Sequence, residues 1–406
     1  MKFDMSRCLD ALSLALDFAG TDTFDPKPNH SRRTAYVALA VADELGIPEE
    51  DKKDLYALAL LHDNGIVMSG QDFNSLEQAA SHCIHGEKNL AGLPLQKPRR
   101  NVIRFHHENY DGSGPFRVRG ADIPLLARLI HLANTLEAEF DLWKLDPSER
   151  KRVREYALSG AGKRFDPDAA AAFQAAARKE RFWCDMTFGN DMDSLHRRTP
   201  QIFYDFQWKD IVSISEIFMR IVDSKSRFTF NHSGGLAAHA DTMSDFYGFT
   251  PDTKIQLHIA AHLHDLGKLY VPNAILEKPG SLDAAELACI KRHPYITKLV
   301  LEKIPFFEEI AAWAGNHHER LNGKGYPDNL TEKELDCQSR LLGVLDIYQA
   351  MTEERPYRKA VTHKEAVETL NGMVRLGYLD AKMVKDVSQT VWPLDGNIKL
   401  CDPCGD

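Results

Sequence analysis

The feature that most constrains this chain is that its second half repeats its first. Asn29-His30-Ser31 returns as Asn231-His232-Ser233, and His62-Asp63 returns as His264-Asp265. His106-His107-Glu108 returns as His317-His318-Glu319, and Arg128-Leu129-Ile130 corresponds to Arg340-Leu341-Leu342. The spacing is kept along with the letters. His30 to His62 and His232 to His264 are both 32 residues apart, and His82 to His106 and His293 to His317 are both 24. Four matched anchors with two preserved intervals are two copies of one domain, since the period is far longer than any solenoid unit.

The copies read as helical. Apolar residues fall at helical spacing over 34–45, 52–62, 123–140, 168–181, 208–222, 254–264, 284–303 and 338–352, while strand signals are scarce. Gly46-Ile47-Pro48 and Pro279-Gly280 punctuate the pattern. The expected fold is all-α, with one helical domain over residues 1–200 and another over 201–406. The boundary is set by Arg197-Arg198-Thr199-Pro200, just before a new amphipathic helix.

Composition excludes several classes. The net charge of -9 argues against a surface for duplex nucleic acid, which needs a basic excess. No stretch reaches the roughly 18 apolar residues of a membrane span. The apolar run Ala11 to Ala19 is interrupted by Asp17 and preceded by Asp4 and Asp10, unlike a signal peptide. It reads as an amphipathic helix of a cytoplasmic protein. Seven scattered cysteines fit reduced thiols, and the lone Cys401-Cys404 pair has too few ligands for a zinc site.

The C-terminal copy carries the chemistry. It offers His232, His264, Asp265, His293, His317, His318 and Asp346. Imidazole with carboxylate suits Fe, Mn, Zn, Co or Ni better than Ca or Mg. Two ions about 3.5–4 Å apart need a bridging ligand, which Asp265 can supply. Lys268, three residues on, falls near the same face and can stabilise charge on a phosphoryl group. A lone histidine is more often structural than a ligand. His239, His258, His262 and His363 are read that way, although the i,i+4 spacing of His258 and His262 would also suit a metal.

These stretches resemble the HD-GYP family of the HD phosphohydrolase superfamily. The resemblance is carried by His264-Asp265-Leu266-Gly267-Lys268, by His293-Pro294, by His317 through Gly325-Tyr326-Pro327, and by Asp346 with Glu354-Arg355-Pro356-Tyr357-Arg358. It implies an all-α fold, a di- or trinuclear Fe or Mn site, and hydrolysis of cyclic di-GMP or, in some members with two HD domains, 3′,3′-cyclic GMP-AMP. It implies one ion on His232, His264, Asp265 and Asp346, and another on Asp265, His293, His317 and His318. Gly325, Tyr326 and Pro327 would lie near the substrate, and Arg355 and Arg358 would grip it.

Three positions depart from the family pattern. Phe228 stands where members with a third metal carry Glu, which favours two divalent ions. Asn322 replaces the usual Asp after His-His-Glu, and Gln349 replaces the second Asp of D-x-x-D. The N-terminal copy departs further. Ile66 stands for Lys268, Asn134 stands for Asp346, Asp111-Gly112-Ser113-Gly114-Pro115 lacks the loop tyrosine, and Thr135 to Phe140 lack the Arg-Pro-Tyr-Arg run. That copy is expected to be degenerate and regulatory, either with one metal on Asp63, His82, His106 and His107 or with these histidines kept only as core and turn residues.

The expected function is metal-dependent phosphodiesterase activity, with Lys268 and Asp265 as catalytic residues and a linear dinucleotide as product. The expected partners are a cyclic dinucleotide and a second copy of the chain, with neither duplex nucleic acid nor membrane. Two rivals stand beside it: an HD-type hydrolase of mononucleotides, against which the Gly325-Tyr326-Pro327 loop argues, and a binding module whose turnover the loss at Gln349 has abolished.

Overall fold

A computed structural model describes residues 2–18, 29–65, 75–189, 194–205, 207–225, 232–354 and 360–392. Ile66, Phe228, Arg355, Pro356, Tyr357, Arg358, Cys401 and Cys404 lie outside the described residues. The chain divides into two compact units, one built from Met1–Gly20, Phe24–Leu90 and Pro94–Asp205, the other chiefly from Phe206–Asp406.

The first unit holds α1 (Met5–Asp17), α2 (His30–Glu44), α3 (Glu49–Leu60), α4 (Leu76–Asn89), α5 (Leu125–Glu139), α6 (Pro147–Ser159), α7 (Pro167–Ala177) and α8 (Glu180–Thr187). The helix expected over 168–181 stops at Ala177, and α8 begins at Glu180. α2 is the axis of the unit and packs on α3, α5 and α7. Its run from Thr34 to Ala42 is buried on every side, and the alanines let neighbours approach closely. Start signals are local. Asp146 and Glu149 form a reciprocal capping box on α6, and the Asp166 carboxylate accepts from the amides of Asp168 and Ala169 on α7. A short antiparallel ladder, β1 (Lys2–Asp4) with β2 (Phe203–Asp205), ties the ends of the unit together. Helical periodicity gave no sign of it, because three residues are too few to show alternation.

The second unit holds α9 (Trp208–Ser224), α10 (His232–Tyr247), α11 (Pro251–Leu263), α12 (Asn273–Leu276), α13 (Ala284–Ile290), α14 (His293–Leu301), α15 (Glu308–Gly315), α16 (Cys337–Thr352), α17 (His363–Arg375) and α18 (Ala381–Thr390). α9 buries Ile211, Ile214, Ile217, Phe218 and Ile221, a single stripe at helical spacing. α10 and α11 pack on each other and, respectively, on α16 and α15, as α2 does on α3 and α5. α16 starts at Asp336, whose carboxylate accepts from Ser339 N at 2.7 Å.

One expected helix is two. Residues 284–303 break at Lys291 and Arg292, and α14 begins at His293 with Pro294 in its first turn. Proline has no amide to continue α13, yet its fixed φ suits a helix start. The break turns His293 toward the His-Asp pair. The approach is so close that a Cβ on Gly267 would lie 2.1 Å from the His293 carbonyl oxygen, and one on Gly65 would lie 2.2 Å from that of His82. Glycine two residues after His-Asp is therefore a steric requirement in both units. Among the described residues, no helix is long and apolar enough to cross a membrane.

Candidate metal centre

Four helix ends and one helix interior deliver the seven expected ligands of the second unit to one buried place. His264 follows the last residue of α11, His293 opens α14, His317 and His318 follow α15, His232 opens α10 and Asp346 lies inside α16. The last carbonyls of a helix have no partner within it, and three of the expected ligand histidines use them. Nδ1 of His264 donates to Ala261 O at 2.8 Å, Nδ1 of His293 to Ile290 O at 2.8 Å, and Nδ1 of His317 to Ala314 O at 2.7 Å. A carbonyl only accepts, so the proton sits on Nδ1 and the lone pair of Nε2 is left for a cation.

Those lone pairs converge. Nε2 of His232 lies 3.1 Å from Asp346 Oδ1, and Nε2 of His264 lies 3.9 Å from the same oxygen and 3.2 Å from Asp265 Oδ2. Nε2 of His293 is 3.3 Å from Asp265 Oδ1 and 3.2 Å from Nε2 of His317. One ligand atom from each of His293, His317 and His318 falls within 4.8 Å of the others, as it does for His232, His264 and Asp346 and for His264, Asp265 and His317. Asp265 thus turns one oxygen to His264 and the other to His293. His264 Nε2 and Asp265 Oδ1 are buried and make no hydrogen bond of sound geometry. A site of this kind is costly unless a cation fills it, so the donor set fits divalent metal.

At His293, His317 and Asp265 the electrostatics agree. Burial brings the His293 imidazole down to about 4 and that of His317 to about 3, which keeps both neutral at pH 7. Burial alone would raise Asp265, but His264 and Lys268 beside it hold its carboxyl well below the usual range. Burial would lower His232, yet hydrogen bonds to Asp346 and Glu353 carry it up to about 9.

Lys268 lies on a short 3-10 turn, Leu266–Tyr270, and its ammonium pairs with Asp265 Oδ2. The Tyr326 ring leans on His318 with centroids 4.8 Å apart, and Lys291 lies over the Tyr326 ring. Gly325 is required there, since its Cβ would sit 2.4 Å from the Glu319 Cα. The loop is held by Glu319, whose carboxylate accepts from Asp328 N at 2.6 Å and from Leu330 N at 3.0 Å. That role was not evident from the letters, although Glu108 does the same for Phe116 N and Val118 N. Sequence reading also missed Glu353, whose Oε2 lies 3.3 Å from His232 Nδ1. Its spacing of seven residues from Asp346, two turns along one helix face, was the available signal.

The residues set aside as structural are elsewhere. His258 Nδ1 faces Asp241 Oδ2 at 3.0 Å, His262 Nδ1 faces Ser215 Oγ at 2.9 Å, and His363 accepts from Tyr348 OH at 2.7 Å. His239 is buried against the Tyr348 ring, and Gln349 fills the space above Gly235. Asn322 donates to Leu376 O, a structural contact. Cys8, Cys83, Cys184, Cys289 and Cys337 are free thiols.

Two family profiles, each described as HD domain, match the chain, one over residues 29–139 and the other over residues 216–383. The 3′3′-cGAMP-specific phosphodiesterase 1 of Vibrio cholerae is 30% identical over 391 residues, which is 92% of this chain and 88% of that protein. The 3′3′-cGAMP-specific phosphodiesterase 3 of the same organism is 31% identical over 305 residues, 74% of this chain and 65% of that one. A crystal structure of a V. cholerae cyclic GMP-AMP specific phosphodiesterase, V-cGAP3, superposes with a TM-score of 0.66 at 23% identity, over 97% of this chain and 99% of that chain. That likeness carries the fold, and the sequence relationship carries the family. The chain belongs to the HD-GYP family, as a member with two HD domains in tandem.

Proposed function

We propose that the second unit is a phosphodiesterase that opens a cyclic dinucleotide, 3′,3′-cyclic GMP-AMP or cyclic di-GMP, to its linear form. The observation that supports it best is the convergence of five imidazoles and two carboxylates on one buried cluster beside the Gly325-Tyr326-Pro327 loop. The two V. cholerae relatives named above are 3′3′-cGAMP-specific phosphodiesterases, which puts that substrate first.

His232, His264, Asp265 and Asp346 would hold one divalent ion, Fe or Mn, and Asp265, His293, His317 and His318 a second. Such ions polarise a phosphoryl oxygen and acidify water enough to make it a nucleophile near neutral pH. The protein's own part is positional. The helix-end carbonyls fix Nε2 of His264, His293 and His317, Glu353 faces Nδ1 of His232, and Asp265 serves both halves. Lys268 offsets the carboxylate charge and, at 24% side-chain exposure, offers a proton donor to a phosphate oxygen at the edge of the site. The half-buried Tyr326 ring gives a nucleobase a face to stack on. Arg355 and Arg358 would grip the substrate phosphates in bidentate fashion.

The test is product analysis after anaerobic loading with Mn or Fe. Linear dinucleotide from either substrate is expected, with nucleotide mono- and triphosphates left intact. Tight binding of both cyclic dinucleotides without a linear product would overturn the enzyme reading in favour of a binding module. Light scattering on the same sample decides whether the chain forms the expected homodimer.

A further inference from the structure

The histidines that the first unit shares with the second also close on one carboxylate. Asp63 Oδ1 lies 3.3 Å from His82 Nε2 and 3.8 Å from His106 Nε2, while its Oδ2 lies 3.3 Å from His62 Nε2 and 3.5 Å from His30 Nε2. The His106 and His107 rings lie 4.1 Å apart, and those of His82 and His107 lie 5.4 Å apart. One ligand atom from each of Asp63, His82, His106 and His107 falls within 4.8 Å of the other three. His62, His82 and His106 are fully buried.

The same device that primes the second unit is at work here. His106 Nδ1 donates to Ile103 O at 2.6 Å and His62 Nδ1 to Ala59 O at 2.8 Å, so each Nε2 is turned inward as a bare lone pair. Asp63 Oδ1 and His106 Nε2 are buried with no hydrogen-bond partner. A carboxylate oxygen and an imidazole lone pair are both acceptors, and only a cation or a proton satisfies them together.

The two halves of this cluster are unequal. In the second unit the half around His232 and His264 is closed by the charge of Asp346. In the first unit Asn134 holds that position, beside His62. A neutral amide leaves His30, His62 and Asp63 with one negative charge between them, and Asp63 must share it with the other half. Two dications around a single carboxylate repel each other with nothing to offset them.

We propose that the first unit binds one divalent transition-metal ion, through Asp63, His82, His106 and His107. Three neutral imidazoles and one carboxylate, with no thiolate, give a four-coordinate site suited to Zn, Fe, Co or Mn. The ion lies in the half away from His30 and Asn134, and the degenerate unit is a metal-binding domain in its own right.

The experiment uses the full chain with the second-unit cluster disabled by Asp265→Ala and His317→Ala, so that failure of the phosphodiesterase reading does not affect it. After loading with Mn or Zn and gel filtration, elemental analysis is expected to find one ion per chain, lost when His107→Ala is added. None, or two, in a chain that still melts cooperatively overturns the proposal. Should His107→Ala fail to fold, Asn134→Asp in the same background decides. It restores the missing carboxylate and is expected to raise the count to two; an unchanged count overturns the charge argument. Co-loaded protein adds an independent readout, since the visible bands of four-coordinate cobalt are expected in the parent and absent from His107→Ala.

Discussion

Glu353 Oε2 lies 3.3 Å from His232 Nδ1, on the opposite side of the imidazole from Asp346, whose Oδ1 lies 3.1 Å from Nε2. His264, His293 and His317 rest Nδ1 on a preceding helix carbonyl. His232 opens its helix and takes a side-chain carboxylate instead. Outer partners of this kind are worth about 10–100-fold in metal affinity. Glu353→Ala is expected to weaken metal binding in the second unit by that factor, read by competition with a chromophoric chelator. Glu353→Gln, which keeps an acceptor oxygen, is expected to recover most of the loss.

Gly267→Ala is expected to expel metal from the second unit without unfolding the first. The added Cβ would lie 2.1 Å from the His293 carbonyl oxygen, so α14 must retreat and take His293 with it. A retreat of even 1 Å spoils a site built to coordination distances. Elemental analysis of the purified variant reads the loss, and full metal content would show that α14 is not held as tightly as described.

How much of this was legible in the letters follows from what each feature depends on. The His-Asp pair and the His-His-Glu triplet were legible because the same residues recur at intervals of 32 and 24, and a spacing kept between two copies reports a shared geometry. All-helical character was legible in long runs of one period. The break before His293 was missed because apolar spacing carries across Lys291 and Arg292, and only Pro294 marks it. Glu353 and the helix-end carbonyls depend on contacts across 121 residues and on main-chain groups, neither of which the residue pattern displays. The loop-holding part of Glu319 is likewise a matter of backbone amides.

Tyr326→Ala is expected to raise KM for the cyclic dinucleotide more than it lowers kcat. Base–aromatic stacking is worth about 1–3 kcal/mol per base, so a rise of roughly 5–150-fold is expected. Tyr326→Phe keeps the ring and is expected to stay within a few-fold of the parent. Steady-state kinetics on both variants separates stacking from a requirement for the hydroxyl.

The first unit depends on an ion pair in its core. Arg33 and Glu137 join α2 to α5 with side-chain exposures of 0% and 1%. Glu137→Ala removes this carboxylate from a buried guanidinium, and breaking such a pair costs about 3–5 kcal/mol. Urea denaturation of the full chain is expected to show an earlier first transition of about that size, while the transition of the second unit stays where it was.

Bound ions join ligands brought from far apart in the chain, so their removal is expected to reach beyond catalysis. A ligand present at 100 times its dissociation constant stabilises the folded state by about 2.7 kcal/mol. Chelation at pH 7 is expected to lower the melting temperature of the parent protein and to leave that of an Asp63→Ala, Asp265→Ala double variant unchanged, as read by calorimetry.

The two units differ most sharply at one matched pair of carboxylates, Asp265 and Asp63. The decisive measurement is the rate at which linear dinucleotide forms from 3′,3′-cyclic GMP-AMP, taken side by side for Asp265→Ala and Asp63→Ala after identical Mn loading. No product from Asp265→Ala and persistent turnover by Asp63→Ala is the expected result. Turnover that survives Asp265→Ala would contradict a hydrolytic centre in the second unit.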